Sequence, residues 1–145
     1  MRFFLGLLIF VLLSCNTTSD TEYSINGSGI SNVSADDSVV YNAFNSKTSN
    51  IQVTANAVVS RILADDTIGS KHQKFIIRMP NSQTILVAHN IDLAPRVPNL
   101  QVNKSITVYG EYEWSDKGGT IHWTHIDPNK NHIDGWIKYL DNKYQ

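Results

Sequence analysis

From Ile51 onward, apolar and polar residues alternate along the chain. Ile51, Val53 and Ala55, then Ala57, Val59 and Leu63, mark a long first strand with a bend expected near Asn56. After a turn over Asp65–Ser70, Phe75, Ile77 and Met79 alternate with Lys74, Ile76 and Arg78 in a second strand. Pro80-Asn81-Ser82 is hairpin chemistry, and Thr84 to His89 reads as a third strand. Residues 90–103 contain Pro95 and Pro98 and predict a long irregular connection. Ser105 to Trp114 is a fourth strand, Asp116–Gly119 a tight turn, and Thr120 to Thr124 a fifth strand. Gly135 to Tyr144 has room for a small added hairpin around Asp141-Asn142. Upstream the period is helical: Val39, Val40, Ala43 and Phe44 define a short amphipathic helix over 35–46, opened by the capping box Ser34-Ala35-Asp36-Asp37.

A long first strand, two hairpins and a long link between the third and fourth strands predict a mainly β domain. The expected architecture is a small five-stranded OB-like Greek-key barrel with a leading helix and a C-terminal hairpin. An SH3-like barrel is the nearest alternative. Matching apolar faces sets the expected register. Trp114 is placed opposite Ile121 and Tyr112 opposite Trp123, with Glu113 opposite His122 and Glu111 opposite Thr124 on the other face. In the second hairpin, Phe75 and Ile77 share the interior with Ala88 and Leu86, leaving Lys74 and His89 outside. Trp114, Trp123 and Trp136 are expected in the core, and Tyr109 is the better candidate for an exposed aromatic.

The first residues follow a different logic. Arg2 precedes an apolar run, Phe3 to Leu13, which is too short to span a bilayer and reads as an export signal. The run stops at Leu12-Leu13-Ser14-Cys15, which resembles the lipobox of bacterial lipoproteins. Residues 1–14 are thus a signal peptide, residues 15–34 a lipidated N-terminus and Ser/Thr/Asn/Gly-rich tether, and residues 35–145 the barrel domain with its leading helix. Cys15 is the only cysteine, so no intrachain disulfide is available. Asn16 stands where aspartate is associated with inner-membrane retention. The expected address is therefore the outer membrane, facing the periplasm or the cell surface, with a monomer held to the membrane by lipid on Cys15.

Residues 51–145 carry 10 Lys and Arg against 9 Asp and Glu, with no basic stripe. That balance argues against a dedicated nucleic-acid binder, though polar small molecules, glycans and nucleic acid all stay open as partners. Chemistry is concentrated in His122–Trp136, which holds three of the five histidines and two of the three tryptophans. OB topology would bring the ends of the third and fifth strands beside the start of the second. His72, His89 and His125 then converge on one rim with Asp92 and Asp127. The candidate binding rim comprises His72, Lys74, His89, Asp92, Arg96, Glu113, His122, His125, Asp127 and His132. Within it, His72, His89, His125 and Asp127 are the candidate ligands of a divalent metal, Zn or Mn by donor type. His122 and His125 have opposite parity in a strand, so both can face one site only if the strand ends or bulges near Thr124. The alternative is structural, with imidazoles bonding backbone and carboxylates at the rim. Arg96 could grip an anion or pair with a carboxylate such as Asp92.

His-Glu-x-x-His spacing, thiolate clusters, a nucleophile elbow and a phosphate loop are all missing from the sequence. Two functional classes remain. One is a non-catalytic binding module with a polar ligand on the outer face of strands two, three and five. The other is a metal-dependent hydrolase, of nuclease or phosphodiesterase type, using the histidine rim to activate water.

His72-Gln-Lys-Phe75, His89-Asn-Ile-Asp-Leu-Ala-Pro-Arg96, Gly110-Glu-Tyr-Glu-Trp114 and His122-Trp-Thr-His125 with Asp127-Pro128, His132 and Gly135-Trp136 occur together. As a set they resemble one uncharacterised bacterial family, domain of unknown function 3465. The resemblance covers residues 36–145 and implies a small exported bacterial domain, with no activity or ligand attached. Lys74 stands where that family has arginine, and Asn142 where glycine is more usual.

Lipidation is directly testable. Cys15→Ser should move the mature protein from the membrane fraction to a soluble or unprocessed form. Fractionation with labelled fatty acid reads the outcome, and a wild-type chain that takes up no label would remove the lipoprotein reading.

Overall fold

The alternation that starts at Ile51 folds as β1, Ile51–Ile62, with Val53, Ala55 and Val59 buried. In this computed structural model the described residues are 35–145. The expected signal peptide, Cys15, the expected tether and Ser34 of the expected helix cap lie outside them. Within them, α1 spans Ala35–Ser46 as expected, burying Val40 and Ala43 and leaving Val39 exposed. The side chain of Asp37, buried near the helix start, accepts the Asn56 N–H at 2.9 Å and so ties the helix to β1.

The strands that follow are β2 (His72–Arg78), β3 (Thr84–Asn90), β4 (Ser105–Glu113), β5 (Thr120–His122), β6 (Trp136–Tyr139) and β7 (Asn142–Tyr144). Their order is β1-β2-β3-β5-β4, and β1 pairs again with β4 to close a five-stranded barrel. Only β3 and β5 run parallel, as an OB Greek key requires. The kink of β1 is a register shift between Val59 and Arg61, not a bend at Asn56. One edge of β4 belongs to β1. The other is shared, with β5 on Glu111–Glu113 and β6 on Ile106–Tyr109. Phe75, Ile77, Ile85, Val87, Val108, Tyr112, Ile121 and Ile137 fill the interior.

Two expected registers are corrected. In the second hairpin Phe75 faces Val87 and Ile77 faces Ile85, one residue away from the expected pairing. The cause is the turn: Met79 N–H bonds Gln83 O and Ser82 adopts φ 71°, so Pro80-Asn81-Ser82 is a three-residue loop with a left-handed last residue. A slip of one residue turns the strand over, so Ile85, Val87 and His89 point inward, and Leu86 and Ala88 outward. In the fourth and fifth strands the offset is two: Glu111 faces His122, Tyr112 faces Ile121, and Glu113 faces Thr120. Two residues preserve the faces, so Glu111, Glu113 and His122 remain outside. The turn is longer than expected because Trp114 leaves the ladder. Its backbone N–H bonds Ser49 Oγ and its indole N–H bonds Phe44 O, against the helix.

The tryptophans are corrected in part: Trp114 packs half-buried against the core as expected, whereas Trp123 and Trp136 are half-buried outside it, and the large rings of the core are Tyr112, Tyr139 and Phe75. β5 ends at His122 because Trp123 takes φ 50°, which brings its ring to the outside.

The observed register makes a paired prediction. Ile85→Ala should cost about 2–5 kcal/mol in urea unfolding, whereas Leu86→Ala should cost clearly less, since Leu86 is half-exposed on the outer face. The reverse order would restore the rejected register.

Candidate functional site

The stretch between β5 and β6 is a loop whose two ends lie almost together. It leaves the β4 edge at His122, opposite Glu111, and rejoins it at Trp136, opposite Tyr109. Two glycines permit this narrow neck. A Cβ on Gly110 would overlap the His122 carbonyl oxygen, and one on Gly135 would overlap the Trp123 carbonyl oxygen. Gly135 N–H also bonds His125 O at 2.9 Å. Inside the loop, the buried Asp127 carboxylate accepts the N–H groups of Asn129 (3.0 Å), Asn131 (2.6 Å) and His132 (2.9 Å). Those donors, Asn129 first, hold its pKa below the usual carboxylate range. Asp127 thus shapes the loop.

His89 points into the barrel end with both ring nitrogens engaged. Nε2 lies 3.1 Å from Pro95 O and must donate, so Nδ1 accepts the Thr124 hydroxyl at 2.8 Å. Its ladder partner Gln73, also buried, bonds both the N–H and the carbonyl of Val97. Burial lowers the His89 pKa, with the Pro95 bond opposing.

His72, His122 and His125 do share a cavity of ≈ 260 Å³, with Ser70, Ala88, Asn90, Leu93 and Trp123 completing its wall. The end of β5 at Trp123 is what lets His122 and His125 face one side. His72 donates Nδ1–H to Ser70 O and His125 donates Nδ1–H to Ile126 O, both at 2.8 Å. With Nδ1 committed to a backbone carbonyl, each ring has Nε2 as its atom for a further partner, an acceptor in the neutral tautomer. A second, more apolar cavity of ≈ 250 Å³ lies further along β3 and β5, lined by Leu63, Ile76, Leu86, Lys117 and Thr120 among others.

Beside the histidine cavity stands a carboxylate–imidazole group. His122 Nε2 lies 3.6 Å from Glu111 Oε1 and 3.9 Å from Glu113 Oε1, and His132 Nδ1 lies 3.7 Å from Glu111 Oε2. His132 stacks on Trp123 with centroids 3.6 Å apart. Burial lowers the His122 pKa, and it outweighs the opposing pull of Glu111 and Glu113.

The remaining rim candidates are engaged elsewhere. Arg96 forms a two-pronged pair with Asp65 rather than Asp92, Lys74 lies 3.6 Å from Asp66, and Asp92 accepts the Lys71 N–H. Among the described residues, the donor atoms that gather within 4.8 Å are those of Glu111, Glu113 and His122. His72, His89, His125 and Asp127 form no such group: His89 is turned inward and Asp127 is spent on backbone N–H groups. Sequence reasoning passed over Glu111 and Trp123. Glu111 carried a usable signal, since Glu111 and Glu113 share one strand face, but the offset register set it opposite Thr124.

The family model described as a protein of unknown function, DUF3465, matches residues 24–145. The chain belongs to this family. A comparison with curated proteins yields no match. In this DUF3465 member the barrel is closed and a polar loop is pinned to the β4 edge.

The His89 shift fixes a pH dependence. Above its ordinary pKa of 6.5, neither the folded nor the unfolded chain binds a proton there. Below it the unfolded chain takes up a proton that the folded chain resists, so stability falls as pH drops. Urea midpoints should decline between about pH 7.5 and about pH 5. His89→Gln should be less stable overall but show a flatter decline, with His122 supplying a residual slope of the same sign. An unchanged slope would place the titration elsewhere.

Proposed function

We propose that this domain is an envelope-tethered binding module, anchored through Cys15, that holds a small polar ligand on the outer face of β2, β3 and β5. The observation that carries this reading is a pair of cavities along β3 and β5, one lined by His72, His122, Trp123 and His125, the other by Leu63, Ile76 and Leu86. In the neutral tautomer the Nε2 atoms of His72 and His125 accept hydrogen bonds, so they suit a ligand rich in hydroxyl or amino donors. The apolar cavity suits the ligand's carbon face. Sugars and amino sugars combine both features in one small molecule. A second reading, metal-dependent hydrolysis, draws on the Glu111, Glu113 and His122 group beside the same cavity.

Amide chemical shifts of the protein, followed against a panel of neutral and amino sugars up to about 10 mM, would fill even a site of millimolar Kd. Shifts should cluster at Ala88, Asn90, His122 and Trp123, and His72→Ala with His125→Ala should weaken the strongest binder at least about tenfold, roughly the loss of one or two hydrogen bonds. Shifts that are absent, or that gather on another face, count against the module.

A further inference from the structure

The polar atoms on the outer face of β4 and β5 are arranged in a way hydrogen bonding does not account for. His122 Nε2 is buried and has no hydrogen-bond partner. It faces two carboxylate oxygens at 3.6 and 3.9 Å, beyond the range of a good N–H···O bond. Those separations are near the span between two ligands of one tetrahedral ion. Donors about 2.0–2.1 Å from a zinc ion lie roughly 3.3–3.5 Å apart. Small rotations of the two glutamate side chains would close the difference.

Charge points the same way. Asp65, Asp66, Asp92 and Asp134 each face a lysine or arginine, namely Arg96, Lys74, Lys71 and Lys130. Among the described residues, the basic groups within 4 Å of Glu111 and Glu113 are imidazoles, with no lysine or arginine. Two adjacent carboxylates on one strand face, without a fixed cation, form a doubly negative site. A divalent ion would neutralise it.

The surroundings also resemble those of a supported ligand set. Glu111 presents Oε1 to His122 and Oε2 to His132, whose ring is held flat against Trp123. His132 Nδ1 lies 3.7 Å from that second oxygen, so a small closing movement would let it orient the carboxylate as a ligand.

We propose that Glu111, Glu113 and His122 form a three-ligand site for a divalent transition-metal ion of the Zn²⁺ or Mn²⁺ type, with His132 positioning Glu111. One nitrogen and two oxygen donors without a thiolate suit such ions. Three protein ligands leave a coordination position for water or for a donor atom of a molecule in the neighbouring cavity. The site goes beyond the binding-module reading and does not depend on it, since the ion can load whether or not the cavity takes a sugar.

The test uses the full chain without a polyhistidine tag, stripped with chelator and titrated with Zn²⁺ by calorimetry, with Mn²⁺ as competitor. One ion per chain is expected. Co²⁺ should give the intense visible bands of a tetrahedral centre. Glu113→Gln and His122→Asn should each lower Zn²⁺ affinity by more than about tenfold, and His132→Ala by about tenfold, the usual scale for a residue that orients a ligand. Circular dichroism of each variant confirms folding, and the conservative Glu113→Gln keeps the test decisive if His122→Asn unfolds. His72→Ala with His125→Ala should leave Zn²⁺ binding unchanged while weakening sugar binding at least about tenfold, which separates failure of this site from failure of the ligand face. No stoichiometric binding of either ion would overturn the proposal. So would an ion whose affinity survives Glu113→Gln, or one lost with His72 and His125.

Discussion

The fold depends on a polar layer at one end of the barrel, made by two side chains facing inward from neighbouring strands. Gln73 holds the backbone of Val97 by both its N–H and its carbonyl, while His89 joins Thr124 to Pro95. Two segments with no ladder of their own, the connection after β3 and the loop after β5, are thereby sealed over the open end. Apolar residues at 73 and 89 could close the barrel, but they would leave the buried polar groups of Pro95, Val97 and Thr124 unsatisfied. Each such group costs about 1–3 kcal/mol. This layer also explains why a histidine suited to chemistry is unavailable for it: both nitrogens of His89 are already spoken for.

Much of the fold was legible because period-two alternation is unambiguous where one face is buried. The strand set, the α1 span and the Greek-key closure all follow from it. What misled was turn chemistry. Asn81-Ser82 reads equally well as a two-residue or a three-residue hairpin, and the left-handed backbone of Ser82 that decides between them leaves no mark on composition. That single residue carried His89 from the surface to the interior. In the other hairpin, the pull of Ser49 and Phe44 on Trp114 is a long-range contact that local pattern does not encode.

The candidate site was legible as an address more than as a constellation. Crowding of histidines pointed to His122–Trp136, and three of the proposed imidazoles do line one cavity. Asp127 attracted notice as a carboxylate among histidines, yet its oxygens serve three backbone N–H groups. Glu111 was passed over because its place depends on a register offset of two. Both cases turn on the same point: a side chain's partners are set by backbone geometry several residues away.

The narrow neck of the His122–Trp136 loop has an evolutionary consequence. Because the loop leaves and rejoins β4 at nearly the same place, the barrel registers on either side do not depend on what lies between. Lengthening such a loop is inexpensive, since doubling its length adds only about 0.6 kcal/mol of closure entropy. Thr124 must stay to cap His89, and Gly110 and Gly135 must stay to keep the neck closed. Between those anchors the loop behaves as an exchangeable cassette. Apart from Asp127, whose carboxylate shapes the loop, residues 126–134 can change without altering the barrel registers beneath.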